Sequence, residues 1–199
     1  MKGMLVFCLS VSLLFAGETG KDTEKTAATA SDPFEIAFSQ LRGSIEGKDY
    51  FKAYESLRSF IKIFWEKSPL LLNNVRFVKD DDNTFGIYEP KDGNSFSPGE
   101  PVYLYMEPVG YKFKKNPKGF YEFGFTGNFT LEDENGKILG GQKNFANLNF
   151  KSWRFNTEIA LTFTYTFTGL DKGKYKVVTN VKDALSKKNA TIENWFYIR

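Results

Sequence analysis

The side chains available for chemistry in this chain are almost all oxygen carriers and amines. In 199 residues there is no histidine and one cysteine, Cys8. Ser-His-Asp and Cys-His nucleophile systems, and zinc sites built on imidazole or thiolate, are therefore excluded. The densest acidic run is Lys79-Asp80-Asp81-Asp82-Asn83. Adjacent carboxylates suit a hard cation such as calcium. The same residues are favoured in a solvated turn, because their side chains bond nearby backbone groups. The run lacks the alternating acids and glycine of an EF-hand loop, so a turn is expected, with no metal and no cofactor. Carboxylate pairs for glycoside hydrolysis can be drawn from Glu89, Glu100, Glu107, Glu122, Glu132 and Glu158, but their spacing sets no separation between any two. Gly140-Gly141 precedes no helix, forms no phosphate loop and reads as a bulge or bend. No catalytic residue emerges, and the chain is expected not to be an enzyme.

Aromatic residues are the richer signal, with 21 Phe, 10 Tyr and 3 Trp. In Val102-Tyr103-Leu104-Tyr105-Met106 the aliphatic residues share one face, so Tyr103 and Tyr105 share the other, with Tyr111 in the following loop. Exposed, these three tyrosines would make a ligand-binding face for a glycan or a peptide. Covered by the helices described below, they would be core.

Positioning elements follow from periodicity. Residues 1–17 have a basic Lys2, an apolar run from Met4 to Phe15 and the small residues Ala16 and Gly17, the pattern of a secretory signal peptide. The run is shorter than the ~20 residues a spanning helix needs, so membrane contact is expected only during export. Cleavage would remove Cys8 and leave a chain without disulfides. Residues 18–31 are small and polar and read as a flexible linker. Residues 32–68 read as a helical hairpin. Asp32 caps Pro33, and Phe34, Ala37, Phe38, Leu41 and Ile45 form one stripe that Gly47 ends with a left-handed turn. A second stripe, Tyr50, Ala53, Tyr54, Leu57, Ile61 and Phe64, runs to about Lys67, before Ser68-Pro69. Such stripes need cover, from the rest of the chain or from another protein.

Over 69–199 the period switches to two, with Gly, Pro, Asn and Asp clusters between aromatic and β-branched runs. Strands are expected at 74–79, 85–89, 101–108, 120–132, 137–146, 157–168, 174–182 and 190–198. Ile159, Leu161, Phe163, Tyr165 and Phe167 alternate with Ala160, Thr162, Thr164, Thr166 and Thr168 and should face a core. The fold class is mainly β: an antiparallel β-sandwich or, with the same pattern, a barrel, preceded by the helical hairpin.

The phrase GLDKGKYKVVTNVKDALSKKNATIENWFYI resembles the last two strands of bacterial secreted immunoglobulin-like domains, through Gly173, Tyr175, Asp183, Ser186, Phe196 and Ile198. SFSPGEPVYLYMEP is similar to an early strand of such envelope proteins. The resemblance implies an immunoglobulin-like sandwich and a periplasmic or secreted location, and carries no activity. With 27 basic and 24 acidic residues, and Lys112 to Lys118 as the one local basic cluster, no nucleic-acid partner is expected. The function expected is a non-catalytic binding or structural module with a protein partner in the bacterial envelope; a carbohydrate-binding module or a carboxylate-based glycan enzyme is the alternative.

Overall fold

The computed structural model describes residues 32–199. The signal peptide expected over 1–17 and the linker over 18–31 lie outside the described residues.

Two helices, α1 (Pro33–Glu46) and α2 (Tyr50–Lys67), stand where the stripes place them. Asp32 accepts the Phe34 amide at 3.0 Å and Asp49 accepts the Lys52 amide at 3.1 Å, so each helix opens on a carboxylate cap. The Lys52 amide bond also holds the Asp49 carboxyl below its ordinary value. The left-handed residue between the helices is Lys48, at φ 56°, and not Gly47, whose φ is −77°. Gly47 serves another need, since a Cβ there would press on the Gly43 carbonyl at 3.2 Å. The helices run antiparallel: Phe34 meets Phe60 edge-on at 5.0 Å, and Lys67 pairs with Asp32 at 3.6 Å.

The rest of the chain is mainly β. Its strands are β1 (Leu71–Val78), β2 (Ser95–Phe96), β3 (Val102–Val109), β4 (Lys114–Lys115), β5 (Tyr121–Asp133), β6 (Ile138–Ser152), β7 (Leu161–Tyr165), β8 (Gly173–Asp183) and β9 (Asn189–Ile198). They form two separate sheets rather than one closed one: β1-β3-β7, and β2-β9-β8-β5 with β4 and β6 also on β5. Strand β6 follows one edge of β5, while β4 and β8 share the other. All pairings are antiparallel except β2 with β9.

Several bounds differ from expectation: the strand expected at 137–146 runs on to Ser152, the one expected at 157–168 is only Leu161–Tyr165, and two further departures have a local reason. Strand β1 starts three residues early, because Asn74, at φ 53°, sits in a bulge that interrupts the alternation. The expected strand 85–89 is a tight turn closed by reciprocal bonds between Thr84 and Ile87, at 2.9 and 3.0 Å. Gly140-Gly141 lies within the β5–β6 ladder beside a register slip, and a Cβ on Gly141 would collide with the Phe129 carbonyl.

The two sheets share one core. Leu161, Phe163, Tyr165 and Phe167 are buried from one side, Phe125, Val177, Val181 and Phe196 from the other. Edge-to-face pairs cross between the sheets, Phe129 with Tyr165 at 5.1 Å and Phe145 with Phe163 at 5.0 Å, each such geometry contributing about 0.5–1.5 kcal/mol beyond area. The buried Tyr165 hydroxyl and Thr179 satisfy each other at 2.7 Å. At the strand ends, buried Asp183 accepts the amides of Lys112 (2.8 Å) and Leu185 (2.9 Å) and the Ser186 hydroxyl. Tyr175 donates to the Asp171 carbonyl at 2.9 Å.

The hairpin joins the sheets through Ser68-Pro69, which crosses Gly110 at the end of β3. Gly110 has φ +83°, and an added Cβ would overlap the Pro69 carbonyl oxygen. Gly110→Ala is therefore expected to lower stability by about 1–3 kcal/mol or more, read as a drop in the urea midpoint with an unchanged slope.

Candidate functional site

Of the two readings open for Tyr103, Tyr105 and Tyr111, an exposed face or core, no shared exposed face is formed. Tyr103 is half-buried, but Tyr105 and Tyr111 are 0% and 1% exposed. Tyr105 does point away from Leu104 and Met106, as alternation requires. What covers it is the 79–91 loop and not the helical hairpin: the Tyr88 ring lies 4.4 Å away and the Gly86 amide donates to its oxygen at 2.9 Å. Its hydroxyl donates to Glu107 at 2.7 Å and lies 3.2 Å from the Thr84 carbonyl. Burial, then the Glu107 bond, pushes its phenol up to about 12. Tyr111 lies in the shared core, edge-on to Trp65 at 5.3 Å, its hydroxyl on the Asn156 carbonyl at 2.7 Å, and burial pushes its phenol up. Asp80 and Asn83 form a turn: Asp80 accepts the Asp82 amide at 3.1 Å, and Asn83 donates to the Asp80 carbonyl at 2.8 Å and to Thr162 at 3.2 Å. Among the described residues, no three Cys, Asp or Glu side chains gather around a possible metal position.

The exposed aromatics are elsewhere, along α2. Only the last turns of α2 reach the sheets: Trp65 is 6% exposed, against Tyr111 and, at 6.1 Å, Phe155. Earlier, α2 faces the β6–β7 connection across a groove of about 530 Å³. Phe51 and Trp153 line it at 77% exposure each, beside Tyr54 at 49%. Arg58 bridges the floor, donating to the Tyr54 hydroxyl at 3.1 Å and the Phe155 carbonyl at 3.4 Å, and Arg154 lines the rim. Trp153 rests edge-on against Phe120 at 5.8 Å. Trp, Tyr and Arg around a concave surface are the residue types that dominate protein interfaces. Phe51 was visible in principle, because it lies a full ~100° off the α2 stripe and no core face accounts for it. Trp153 had no such signal, since its strand ends one residue before it.

The groove has its orientation because α2 is clamped. Lys188, in the β8–β9 turn, donates from Nζ to the carbonyls of Trp65 (3.3 Å), Glu66 (3.1 Å) and Gly110 (2.7 Å). A cation at a helix C-terminus meets both orphan carbonyls and the negative end of the dipole. Burial holds its ammonium below the usual lysine value, against the opposing pull of Asp183 and Glu66. No helix among the described residues is long and apolar enough to cross a membrane.

No family model and no curated protein matches the chain. Among solved structures, it is similar to the sporulation control protein Spo0M from Bacillus subtilis, at 9% identity and a TM-score of 0.32. That match covers 66% of this chain and 50% of the other, so the chain spans half that structure's length. A likeness this weak bears on neither fold nor function.

Lys188→Met keeps the stem and removes the donors; it is expected to cost about 1–3 kcal/mol and to speed amide exchange in the last turn of α2, with little change in β8 and β5. Alkaline titration probes the other half of the arrangement. The folded-state phenols of Tyr105, Tyr111 and Tyr165 are all raised, so their stabilisation is complete below the free-tyrosine value near pH 10 and is lost as pH climbs through the folded values. Their phenolate absorbance at 295 nm should appear above pH 10 together with loss of near-UV circular dichroism, and not before it.

Proposed function

We propose that this chain is a non-catalytic extracytoplasmic binding module of the bacterial envelope, an immunoglobulin-like β-sandwich that carries a helical hairpin and docks a protein partner along α2. The observation that carries the reading is the pair of exposed rings, Phe51 and Trp153, lining one groove braced by Arg58. Solvating two large rings is unfavourable, and covering them releases that cost. A protein surface is the occupant whose size matches an open groove joining a helix and a loop.

The immunoglobulin-like reading draws support from strand order and from one tyrosine. The sheet β1-β3-β7 corresponds to strands A, B and E, and β9-β8-β5-β6 to G, F, C and C′. Tyr175 near the start of β8 bonds the backbone four residues upstream, as the tyrosine corner of strand F does. The inter-sheet cysteine pair is missing, and the aromatic crossings take its place in the core. An extracytoplasmic location rests on the signal-like residues 1–17. The glycan alternative leaned on Tyr103, Tyr105 and Tyr111 as a surface, and two of those rings are inside.

Phe51→Ala with Trp153→Ala tests the docking surface. Both side chains are exposed, so the melting temperature should stay within a few degrees of the parent, while crosslinked capture of a reproducible partner from a matched envelope extract should fall by tenfold or more. Undiminished capture by the folded double variant would move the interface elsewhere. Specific capture on a glycan array without a protein partner would replace the reading.

A further inference from the structure

At the end of α2 nearest the sheets, the groove gives way to a second, more enclosed cleft of about 520 Å³. It shares Lys62, Tyr121 and Phe155 with the groove but has a different chemistry. Four lysines line it, Lys62, Lys112, Lys115 and Lys188, against one carboxylate, Glu66. Lys188 is committed to three backbone carbonyls. Lys62, Lys112 and Lys115 form no ion pair with any carboxylate among the described residues. The nearby Asp183 hydrogen-bonds to the Lys112 and Leu185 amides and the Ser186 hydroxyl and forms no ion pair with these lysines, so with Glu66 it offsets only part of the four positive charges.

Three unpaired ammonium groups around one concavity, one from α2 and two from the β3–β4 segment, make a local positive field that an anion would relieve. The floor beneath them is aromatic. Phe113 packs on Phe155 at 4.4 Å and on Tyr121 at 6.0 Å, and the Lys115 ammonium lies 5.9 Å from the Tyr121 ring centre. The volume falls within the ~300–1,000 Å³ typical of small-molecule sites.

We propose that this cleft binds a small organic anion with a planar apolar body, such as an aryl or heterocyclic phosphate, its ring against Phe113, Tyr121 and Phe155 and its charge among Lys62, Lys112 and Lys115. Inorganic phosphate would satisfy the cations and leave the floor wet. A neutral ring would cover the floor and leave the ammonium groups unpaired. Both parts of the ligand are required. The site adjoins the protein-docking groove, sharing Lys62, Tyr121 and Phe155 with it, but does not depend on that reading.

The probe is 4-methylumbelliferyl phosphate, followed by fluorescence anisotropy on the full chain. Saturable binding is expected that weakens as NaCl rises, with at least tenfold lower affinity for neutral 7-methoxy-4-methylcoumarin, for inorganic phosphate as competitor and for phosphatidylglycerol vesicles. Lys62→Gln with Lys115→Gln, both exposed positions, should weaken binding tenfold or more in a protein that melts like the parent. Phe51→Ala with Trp153→Ala should leave it unchanged, whether or not a protein partner is lost. Absence of saturable binding, equal affinity for the neutral coumarin or for inorganic phosphate, tighter capture by the vesicles, or an unaltered affinity in the lysine double variant would overturn the proposal. So would loss of probe binding in the Phe51/Trp153 variant, because the ring would then sit in the groove.

Discussion

The arrangement depends on one crowded crossing, where the end of α2 passes over the end of β3. Three constraints meet there. Pro69 disfavours helix at Ser68, Gly110 supplies a left-handed backbone with no Cβ against the Pro69 carbonyl, and the Lys188 ammonium collects carbonyls from both sides. Trp65, one turn earlier, adds the apolar part. Burying such a ring contributes on the order of 3–5 kcal/mol when judged by truncation, and its contacts with Tyr111 and Phe155 fix the direction in which the hairpin leaves the sheets. Everything proposed about surfaces follows from that direction.

From this crossing outward, the aromatic residues divide by what covers them. Trp65, Tyr111 and Phe155 are held together because three segments converge. Phe51, Tyr54 and Trp153 lie farther along α2, where the β6–β7 connection stays at groove distance. Other stripe residues of the hairpin, Phe38, Ile45, Tyr50 and Phe64 among them, are also 45–70% exposed, so the helices pack on each other through Phe34, Phe60, Ala37 and Ala53 and leave part of their apolar face bare. A hairpin anchored at one end only has that geometry by necessity.

Charge is distributed with the same logic. On the outer face of the larger sheet Lys176 sits between Glu132 at 2.9 Å and Glu193 at 3.2 Å, with the Trp195 ring beneath it, and the Glu132 bond raises its ammonium above the usual lysine value. Those charges are mutually satisfied. Near the crossing the balance is uneven, because Lys62, Lys112, Lys115 and Lys188 come from segments that converge for apolar reasons and bring only Glu66 into the cleft with them.

Local rules were sufficient for the helices, their carboxylate caps, the mainly β body and the inward face of Leu161 to Phe167, because capping, 3.6-residue stripes and two-residue alternation act within a few residues of chain. Alternation also put Tyr103 and Tyr105 opposite Leu104 and Met106 correctly. It could not say that a turn at Thr84 to Ile87 would close over Tyr105, nor that Tyr111 would be pulled against Trp65, since both depend on contacts between segments at least 17 residues apart. The same holds for Gly47 and Lys48, where the left-handed residue was decided by how α2 had to return along α1. The sequence by itself determined which residues alternate and where helices begin. Tertiary structure alone decided which aromatic rings meet solvent and which lysines share a cleft, because exposure and charge balance are properties of what lies across a gap and not of neighbours along the chain.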